Sequence, residues 1–264
     1  MIGAIVGDVV GSFYESRPNK SVDFPFLQPG CAFTDDTVLT VATAHAILSG
    51  EPYGRAYLDL ARRYPRVGYG GSFRKWVREG GPQPYGSFGN GSAMRVSPVG
   101  FAFSTLEETL KEAELSACAT HNHPEGIKGA QATAGAIFLA RTGSSKQEIE
   151  EYITGRFAYQ VQKDLDYLRD NYEFNETCQQ TVPEAVSVFL QSNNFEDAIR
   201  KAVSIGGDSD TVACIVGGIA EAFYGEIPEK IKTRAVSLLD DRLKGVLSEF
   251  STRFGVGAKR EKVE

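Results

Sequence analysis

The sequence predicts an all-α protein of a single domain. Apolar residues recur at the three-to-four-residue spacing of helices in eleven segments, whereas the sustained alternation typical of strands is missing. No linker rich in Pro, Gly or Ser divides the 264 residues, and two similar acidic motifs lie near opposite ends of the chain. One domain over residues 1–254 that brings its ends together accounts for these observations, followed by a polar tail over 255–264.

The predicted helices follow one another along the whole chain. Their ranges are 2–13, 35–49, 54–63, 70–78, 107–119, 124–141, 145–153, 183–191, 195–204, 211–224 and 229–250. Residues 154–180 have the weakest pattern, and we expect a helix over 160–171 followed by a loop. Gly50 and Gly225 stand directly after predicted helices, at the position where a helix often ends on glycine.

The first predicted helix carries three glycines and two acids of interest. Gly3, Gly7 and Gly11 share one face, and glycine inside a helix costs about 1 kcal/mol relative to alanine, so we expect close backbone packing there. Asp8 lies among apolar neighbours, and we interpret it as a buried residue that bonds the N-terminus of a neighbouring helix. Glu15 follows aromatic residues at the start of a loop, which makes it a candidate for a desolvated active-site acid.

Composition and charge exclude several classes of protein. Hydrophobic residues make up 42% of the chain, as in an ordered globule, and the net charge is -6 with a pI near 5.3. This charge argues against a broad surface for duplex nucleic acid or anionic membrane, although an anionic substrate could bind locally. Four cysteines without CxxC spacing indicate reduced thiols in the cytoplasm. The N-terminal run has no basic region and contains Asp8, so we expect neither a signal peptide nor a membrane anchor.

Two acidic motifs carry the strongest functional signal. Thr34-Asp35-Asp36-Thr37 and Asp208-Ser209-Asp210-Thr211 each directly precede an apolar run with helical spacing. Thr, Ser and Asp are preferred helix caps, and capping alone is one interpretation of each motif. A cap needs one side-chain oxygen, however, and each motif has two carboxylates as well as hydroxyls. Four carboxylates in one cleft require protonation or a cation, and such oxygen ligands suit Mg²⁺, Mn²⁺ or Ca²⁺.

Two further segments are candidates for ligand binding. The glycines of the segment 86–95 predict backbone N–H groups that face a phosphate, and Ser87, Asn90 and Ser92 would be further donors. Phe88 offers a ring on which a base could stack. A tight turn before a helix explains the segment equally well. The segment lacks the features of a Walker A loop or a dinucleotide fingerprint. The cysteine and histidines of residues 118–124 could begin a zinc site, but the second pair of ligands that such a site needs is missing. The alternative interpretation is that a neutral His121 forms a hydrogen bond with a ligand.

Taken together, these motifs resemble those of the ADP-ribosylglycohydrolase family. The resemblance rests on the ordered set Gly7-Asp8-x-x-Gly11, Thr34-Asp35-Asp36-Thr37, Gly89-Asn90-Gly91-Ser92-Ala93-Met94-Arg95, Thr120-His121 and Gly206-Gly207-Asp208-Ser209-Asp210-Thr211. It extends from residue 2 to about residue 250. Each motif is weak by itself, whereas the ordered set is highly specific.

The resemblance implies a fold, a cofactor and an activity. The fold would be a compact orthogonal bundle of helices with two Mg²⁺ or Mn²⁺ ions in a central cleft. The implied metal ligands are Thr34, Asp35, Asp36, Asp208, Asp210 and Thr211. The implied ligand-binding residues are Gly86, Ser87, Phe88, Gly89, Asn90, Gly91 and His121. The implied catalytic residues are Asp36 and Glu15.

The expected reaction is metal-dependent hydrolysis at C1″ of ADP-ribose. The acceptor would be an arginine or serine of a protein, and nucleic-acid-linked ADP-ribose is a further possibility; we expect a monomer that does not bind membranes. Two alternatives stay open. The chain could bind ADP-ribose without cleaving it, or Asp208-Ser209-Asp210-Thr211-Val212 could be the nucleophile motif of a haloacid-dehalogenase-type phosphatase, which requires a preceding strand. An EF-hand is excluded, because Ile219 stands where its glutamate would be.

Overall fold

The computed structural model describes residues 1–81 and 83–256. Within these residues the chain forms fifteen helices and no strand, and an isolated bridge joins Gly89 to Thr177. The prediction of an all-α bundle is confirmed. The helices are α1 Ile2–Glu15, α2 Asp35–Ser49, α3 Tyr53–Arg63, α4 Gly71–Arg78, α5 Gly91–Met94, α6 Ser97–Ala102, α7 Leu106–Cys118, α8 Pro124–Arg141, α9 Lys146–Phe157, α10 Leu165–Asn171, α11 Cys178–Leu190, α12 Phe195–Ser204, α13 Ser209–Tyr224, α14 Glu229–Ser237 and α15 Asp241–Phe254.

Several helices differ from the predicted ones. The short helices α5 and α6 were not predicted, since neither is long enough to show an apolar period. The predicted helix 183–191 starts at Cys178, with Pro183 inside it. The prediction of one helix over 229–250 is wrong: α14 ends at Ser237, and Asp240 caps α15 by accepting a hydrogen bond from the Leu243 N–H at 3.0 Å.

The tail predicted for residues 255–264 lies mostly outside the described part of the chain. Residues 257–264 belong to that undescribed part, and of the rest, Gly255 ends α15 in the left-handed conformation while Val256 is buried. Within residues 1–81 and 83–256, each helix falls short of the length and apolar character needed to cross a bilayer.

The centre of the bundle is the pair α1 and α13, which pack backbone against backbone. A methyl group on Gly3 would lie 2.3 Å from the Gly217 carbonyl oxygen, one on Gly7 1.9 Å from that of Ala213, and one on Gly11 2.4 Å from that of Ser209. Rising numbers on α1 meet falling numbers on α13, so the helices are antiparallel. The close packing predicted from the glycines is confirmed, and it carries the C-terminus of α1 to the N-terminus of α13.

Candidate active site

Three helix ends meet at one cleft and bring acidic side chains together. The cleft has a volume of about 250 Å³, and Glu15, Asp35, Asp36, Asp208 and Asp210 all line it. Single carboxylate oxygens of Glu15, Asp208 and Asp210 lie within 4.8 Å of one another, and so do those of Asp8, Asp36 and Asp210. Motifs that are more than 170 residues apart in sequence therefore form one acidic cluster.

Asp8 holds the first motif in place. Its carboxylate accepts hydrogen bonds from the backbone N–H groups of Thr34 and Thr37, both at 3.0 Å, and from the Thr34 hydroxyl at 2.7 Å. The Thr37 hydroxyl also donates to it. The interpretation of Asp8 as a buried partner of a helix N-terminus is confirmed. Thr34 itself caps α2 by accepting from the Asp36 N–H at 3.2 Å.

Asp36 connects the two motifs. The Thr211 hydroxyl donates to Asp36 Oδ2 across 3.3 Å, so a side chain of α13 touches a side chain of α2. The other oxygen, Asp36 Oδ1, is buried and has no hydrogen-bond partner among the described residues. A buried carboxylate oxygen without a partner is costly unless something positive or a proton satisfies it. This oxygen is therefore a natural position for a cation.

The second motif is held by the glycine-rich segment. Asp208 precedes α13 but makes no side-chain cap hydrogen bond. Instead, its Oδ2 accepts from the side-chain amide of Asn90 at 2.7 Å. Asn90 is fixed in turn by its backbone N–H, which donates to the Glu176 carbonyl at 2.7 Å, and by a second side-chain hydrogen bond to Thr181. The capping interpretation thus describes the first motif and not Asp208.

Burial and mutual repulsion raise the pKa values of several carboxyl groups in the cluster. Burial and the neighbouring Asp8 raise the pKa of Asp35 to about 8. Burial and nearby carboxylates raise the pKa of Asp36 and that of Asp210 well above the usual range. Burial together with Asp208 and Asp8 also raises the pKa of Glu15. Among the described residues that line the cleft, Arg95 is the one arginine or lysine, and its guanidinium bonds Ser116 and Thr120 rather than a carboxylate.

His121 presents a neutral ring to the other side of the cleft. Burial and the charge of Arg95 lower its pKa well below the usual range. The Thr120 hydroxyl lies 2.7 Å from His121 Nδ1 and accepts from Arg95 at 2.8 Å, so its hydrogen is available for Nδ1. The ring proton then sits on Nε2, which lies 3.2 Å from the point where a Cβ on Gly91 would stand. His121 is thus arranged to donate to a ligand oxygen in the cleft.

The sequence left two interpretations of the glycine-rich segment, an anion-binding loop or a tight turn before a helix. The N–H groups of Gly86, Ser87, Gly89 and Asn90 already donate within the protein, to Asn122, Thr120, Ser87 and Glu176 respectively. The side chain of Asn90 is likewise engaged. The segment therefore supports Asp208 and shapes the wall of the cleft, and fewer of its amides are available to a phosphate than the glycine content indicated.

Most of the candidate residues meet at the cleft, and a few do not. Ser87, Gly89, Asn90, Gly91, His121 and Thr211 line it together with the acids. Thr34, Gly86 and Phe88 are not among the lining residues; Phe88 is 44% exposed, with its ring centroid 5.2 Å from that of His123. Sequence reasoning missed Tyr85, Phe174 and Glu176, which also line the cleft. They lie in loops without an apolar period, so no pattern identified them.

Comparison with known proteins agrees with this architecture. The family model described as ADP-ribosylglycohydrolase matches residues 1–257. The chain belongs to the ADP-ribosylglycohydrolase family. Since the match covers nearly the whole chain, the resemblance seen in the ordered motifs is confirmed. Asp208 directly precedes α13, and no strand precedes it within residues 1–81 and 83–256, so the context that the phosphatase motif requires is missing there.

Similar proteins have names that describe hydrolases of ADP-ribosylated substrates. ADP-ribosylhydrolase ARH3 of Bos taurus is 27% identical, over 87% of this chain and 85% of the relative. ADP-ribosylarginine hydrolase Tri1 of Pseudomonas putida is 28% identical, over 85% of this chain and 69% of the relative. A solved ADP-ribosylglycohydrolase-related protein complex matches with a TM-score of 0.68 and 26% identity, over 90% of this chain and 95% of that one.

Proposed function

We propose that this protein is a metal-dependent hydrolase that cleaves the bond at C1″ of ADP-ribose attached to an acceptor. The observation that carries this proposal is the convergence of Asp35, Asp36, Asp208 and Asp210, two from each motif, at one cleft beside Glu15. Such a cluster of carboxylates destabilises the fold by like-charge repulsion, and a bound cation would remove this repulsion. The names of the relatives supply the class of substrate.

Two Mg²⁺ or Mn²⁺ ions are the proposed cofactor. The donors are carboxylates and hydroxyls, which are the ligands of hard divalent cations, and Asp36 Oδ1 is a buried oxygen without a partner in the described chain. The residues that would hold the ions are Thr34, Asp35, Asp36, Asp208, Asp210 and Thr211. When bound, the ions would supply positive charge that orients the distal ribose hydroxyls and activates water. Of this set, Thr34 has the weakest support, since it does not line the cleft and its hydroxyl oxygen already accepts from the Asp36 N–H.

The acids of the chain then have distinct tasks. Glu15 has a raised pKa beside Asp208 and stands at the end of α1, so it can accept a proton from the attacking water and return it to the leaving acceptor. With cations bound, Asp36 would be ionised, and its negative charge would stabilise the positive charge that develops at C1″ as the bond breaks. One water is added, the bond from C1″ to the acceptor breaks, and the acceptor takes a proton. The products are ADP-ribose and the free side chain.

The remaining candidates would position the ADP-ribose. His121 can donate from Nε2 to an oxygen of the ligand, and the backbone around Ser87 and Gly91 lies along the same wall. The exposed ring of Phe88 offers a stacking face for adenine at the edge of this segment. Exposure outside the cleft suits this role, because adenine is the part of ADP-ribose farthest from the bond to be cleaved.

A panel of defined substrates tests the proposal. ADP-ribosylated arginine protein, ADP-ribosylated serine peptide, O-acetyl-ADP-ribose, poly(ADP-ribose) and ADP-ribosylated oligonucleotide are each incubated in EDTA, and again after Mg²⁺ or Mn²⁺ is restored. We expect release of ADP-ribose from at least one substrate, abolished by EDTA and restored by metal. Calorimetric titration with ADP-ribose runs alongside. Tight binding with no turnover of any substrate would support the non-catalytic alternative and refute the proposed hydrolase.

A further inference from the structure

Lys20 makes two hydrogen bonds to which the proposed reaction assigns no role. It lies in the segment between α1 and α2, five residues after Glu15. Its ammonium donates to the Tyr172 carbonyl at 3.1 Å and to the Ile205 carbonyl at 2.6 Å. Although Lys20 is an exposed residue, both hydrogen bonds are half-buried. One side chain of this segment therefore bonds the backbone at two points that are more than 30 residues apart in sequence.

Both acceptors stand at the C-terminal ends of helices. Tyr172 directly follows α10, and Ile205 directly follows α12. The last carbonyls of a helix have no partner within it, and the partial negative charge of the helix dipole attracts a cation to this end. A lysine side chain is one of the groups that satisfy such carbonyls. The ammonium of Lys20 thus joins the ends of two helices.

The two helix ends lie against the turn that precedes the second acidic motif. Gly206 and Gly207 follow Ile205, and both have left-handed backbones, with φ of 73° and 68°. A Cβ on Gly206 would lie 3.2 Å from Lys20 Nζ, and one on Gly207 would lie 2.5 Å from the ring of Tyr172. Glycine tolerates this conformation, but many others are open to it and it has no side chain that packs. The contacts with Lys20 and Tyr172 therefore restrict the turn.

The conformation of this turn sets the direction of Asp208, the next residue along the chain. A carboxylate oxygen of Asp208 lies within 4.8 Å of one from Glu15 and of one from Asp210. Asn90 holds the side chain of Asp208, whereas Lys20 holds the backbone that leads to it. Because Lys20 also belongs to the segment that continues from Glu15, it connects two of the three acids in this group.

We propose that Lys20 is a positioning residue of the cation site. By bonding the ends of α10 and α12, it holds the Gly206-Gly207 turn so that Asp208 faces Glu15 and Asp210. This inference rests on the proposed function, since it concerns how the same acidic cluster is kept ready for a cation. Lys20 itself does not line the cleft. Its loss would leave every carboxylate in the chain but would give Asp208 more conformations, so a cation would bind more weakly.

A comparison of two lysines separates positioning from general stability. The ammonium of Lys146 donates to the Leu190 carbonyl at 3.0 Å and to the Ser192 carbonyl, at the C-terminal end of α11, and Lys146 does not line the cleft. Lys20→Met and Lys146→Met therefore each remove an ammonium that bonds two backbone carbonyls at helix ends. Both variants should unfold at a lower urea concentration than the wild type in EDTA, whereas only Lys20→Met should weaken the binding of metal.

Calorimetric titration of the metal-free proteins with Mn²⁺ measures this binding without turnover. We expect Lys20→Met to raise the Kd for Mn²⁺ about tenfold or more, and Lys146→Met to change it by less than about twofold. Lys20→Arg keeps the positive charge and the N–H donors, and its Kd should stay within about threefold of the wild-type value. A wild-type Kd in Lys20→Met, or equal weakening in Lys20→Met and Lys146→Met, would overturn the proposal. So would a Lys20→Arg variant that binds Mn²⁺ no better than Lys20→Met.

Hydrogen exchange in EDTA reports on the turn itself. In Lys20→Met, the amides of residues 205–212 should exchange about threefold faster or more, whereas Lys146→Met should accelerate exchange around residues 190–194. Unchanged exchange over 205–212 in Lys20→Met would show that Lys20 does not hold the turn. Absence of ADP-ribose release from every substrate would refute the hydrolase, while the Mn²⁺ titration and hydrogen exchange would still decide on Lys20.

Discussion

The two acidic motifs have nearly the same sequence, yet the protein holds them in different ways. In the first, Thr34 caps α2, and Asp8 of another helix accepts from the N–H groups of Thr34 and Thr37. The Asp35 N–H donates to the Val67 carbonyl at 2.8 Å. In the second, Asp208 does not cap α13 and is instead held by the amide of Asn90. The first motif is thus supported by α1, and the second by the glycine-rich segment that lines the cleft.

Each motif could serve two tasks, to cap a helix and to supply carboxylates for a cation, and the two motifs differ in which residues perform the first task. Because Thr34, Asp8 and the Val67 carbonyl accept the hydrogen bonds at the N-terminus of α2, the side chains of Asp35 and Asp36 need not serve as caps. At the second motif, the link between Asn90 and Asp208 couples the acidic cluster to the wall where ADP-ribose would lie. Similar tetrapeptides can therefore contribute similar ligands and still respond differently to mutation.

The largest effect is expected where the two motifs act alike. Asp36→Asn and Asp210→Asn each remove one buried carboxylate from the cluster, and we expect each to lower kcat/KM for ADP-ribose release by about 10²- to 10⁴-fold. Both variants should also melt at a higher temperature than the wild type in EDTA, because like-charge repulsion is reduced. Glu107→Gln on the exposed face of α7 is the control. Full activity of either variant would show that the motifs do not share one site.

The next largest effect is expected on the stability of the protein when the support of the first motif is removed. Asp8→Ala leaves the half-buried N–H of Thr34 and the buried N–H of Thr37 without their acceptor, which should lower the free energy of unfolding by about 2–6 kcal/mol. Asp8→Asn keeps one carbonyl oxygen and should lose less. Urea unfolding of the metal-free proteins measures both values. Wild-type stability of Asp8→Ala would show that Asp8 does not support α2.

A smaller effect is expected at the support of the second motif. Asn90→Ala frees the Asp208 carboxylate and should lower kcat/KM by about 10- to 100-fold, while destabilising the protein by only about 1 kcal/mol. The midpoint of a Mg²⁺ titration should move to higher concentration. Asn193→Ala, at an exposed position before α12, is the matched control. If Asn90→Ala lost as much stability as Asp8→Ala but kept its activity, the proposed difference between the supports of the two motifs would be wrong.

The last prediction concerns the dependence of stability on pH. Asp35 has an ordinary pKa of 3.8 and a raised pKa of about 8 in the folded protein. Its contribution to stability is therefore present below about pH 3.8 and is lost as the pH rises through about 8. Between these values, unfolding releases a proton, and the free energy of unfolding should fall by about 1.4 kcal/mol per pH unit for each such carboxyl.

Thermal unfolding in EDTA over this range, with and without Asp35→Asn, measures that slope. The variant should show a shallower decline, and Mg²⁺ should flatten the wild-type curve, since a bound cation favours the ionised carboxylate. A metal-free protein whose stability rises steadily from pH 5 to pH 8 would contradict the electrostatic account of the cluster.

Much of the fold could be predicted from the apolar period. The ranges 35–49, 124–141 and 195–204 match α2, α8 and α12 residue for residue. These helices have clear caps and a continuous apolar face, so local and tertiary preferences agree. Helices α5 and α6 escaped prediction because one or two turns of helix do not establish a period, and tertiary contacts stabilise them.

The candidate site could be predicted in part. The motif carboxylates and Glu15 were selected from their residue types, because a helix cap needs one side-chain oxygen and each motif has two carboxylates. The role of Asn90 was not predicted, since its partner Asp208 lies 118 residues away.

By itself, the sequence determined the helical class, the family and the candidate acidic residues, because periodicity, residue chemistry and motif order are local properties of the chain. Tertiary structure decided which carboxylate is free and which is held. The antiparallel packing of α1 on α13 through Gly3, Gly7 and Gly11 brings Glu15 to Asp210, and it sets Asp8 against α2. Such contacts depend on the approach of distant backbones to within a few ångströms, which no local pattern specifies.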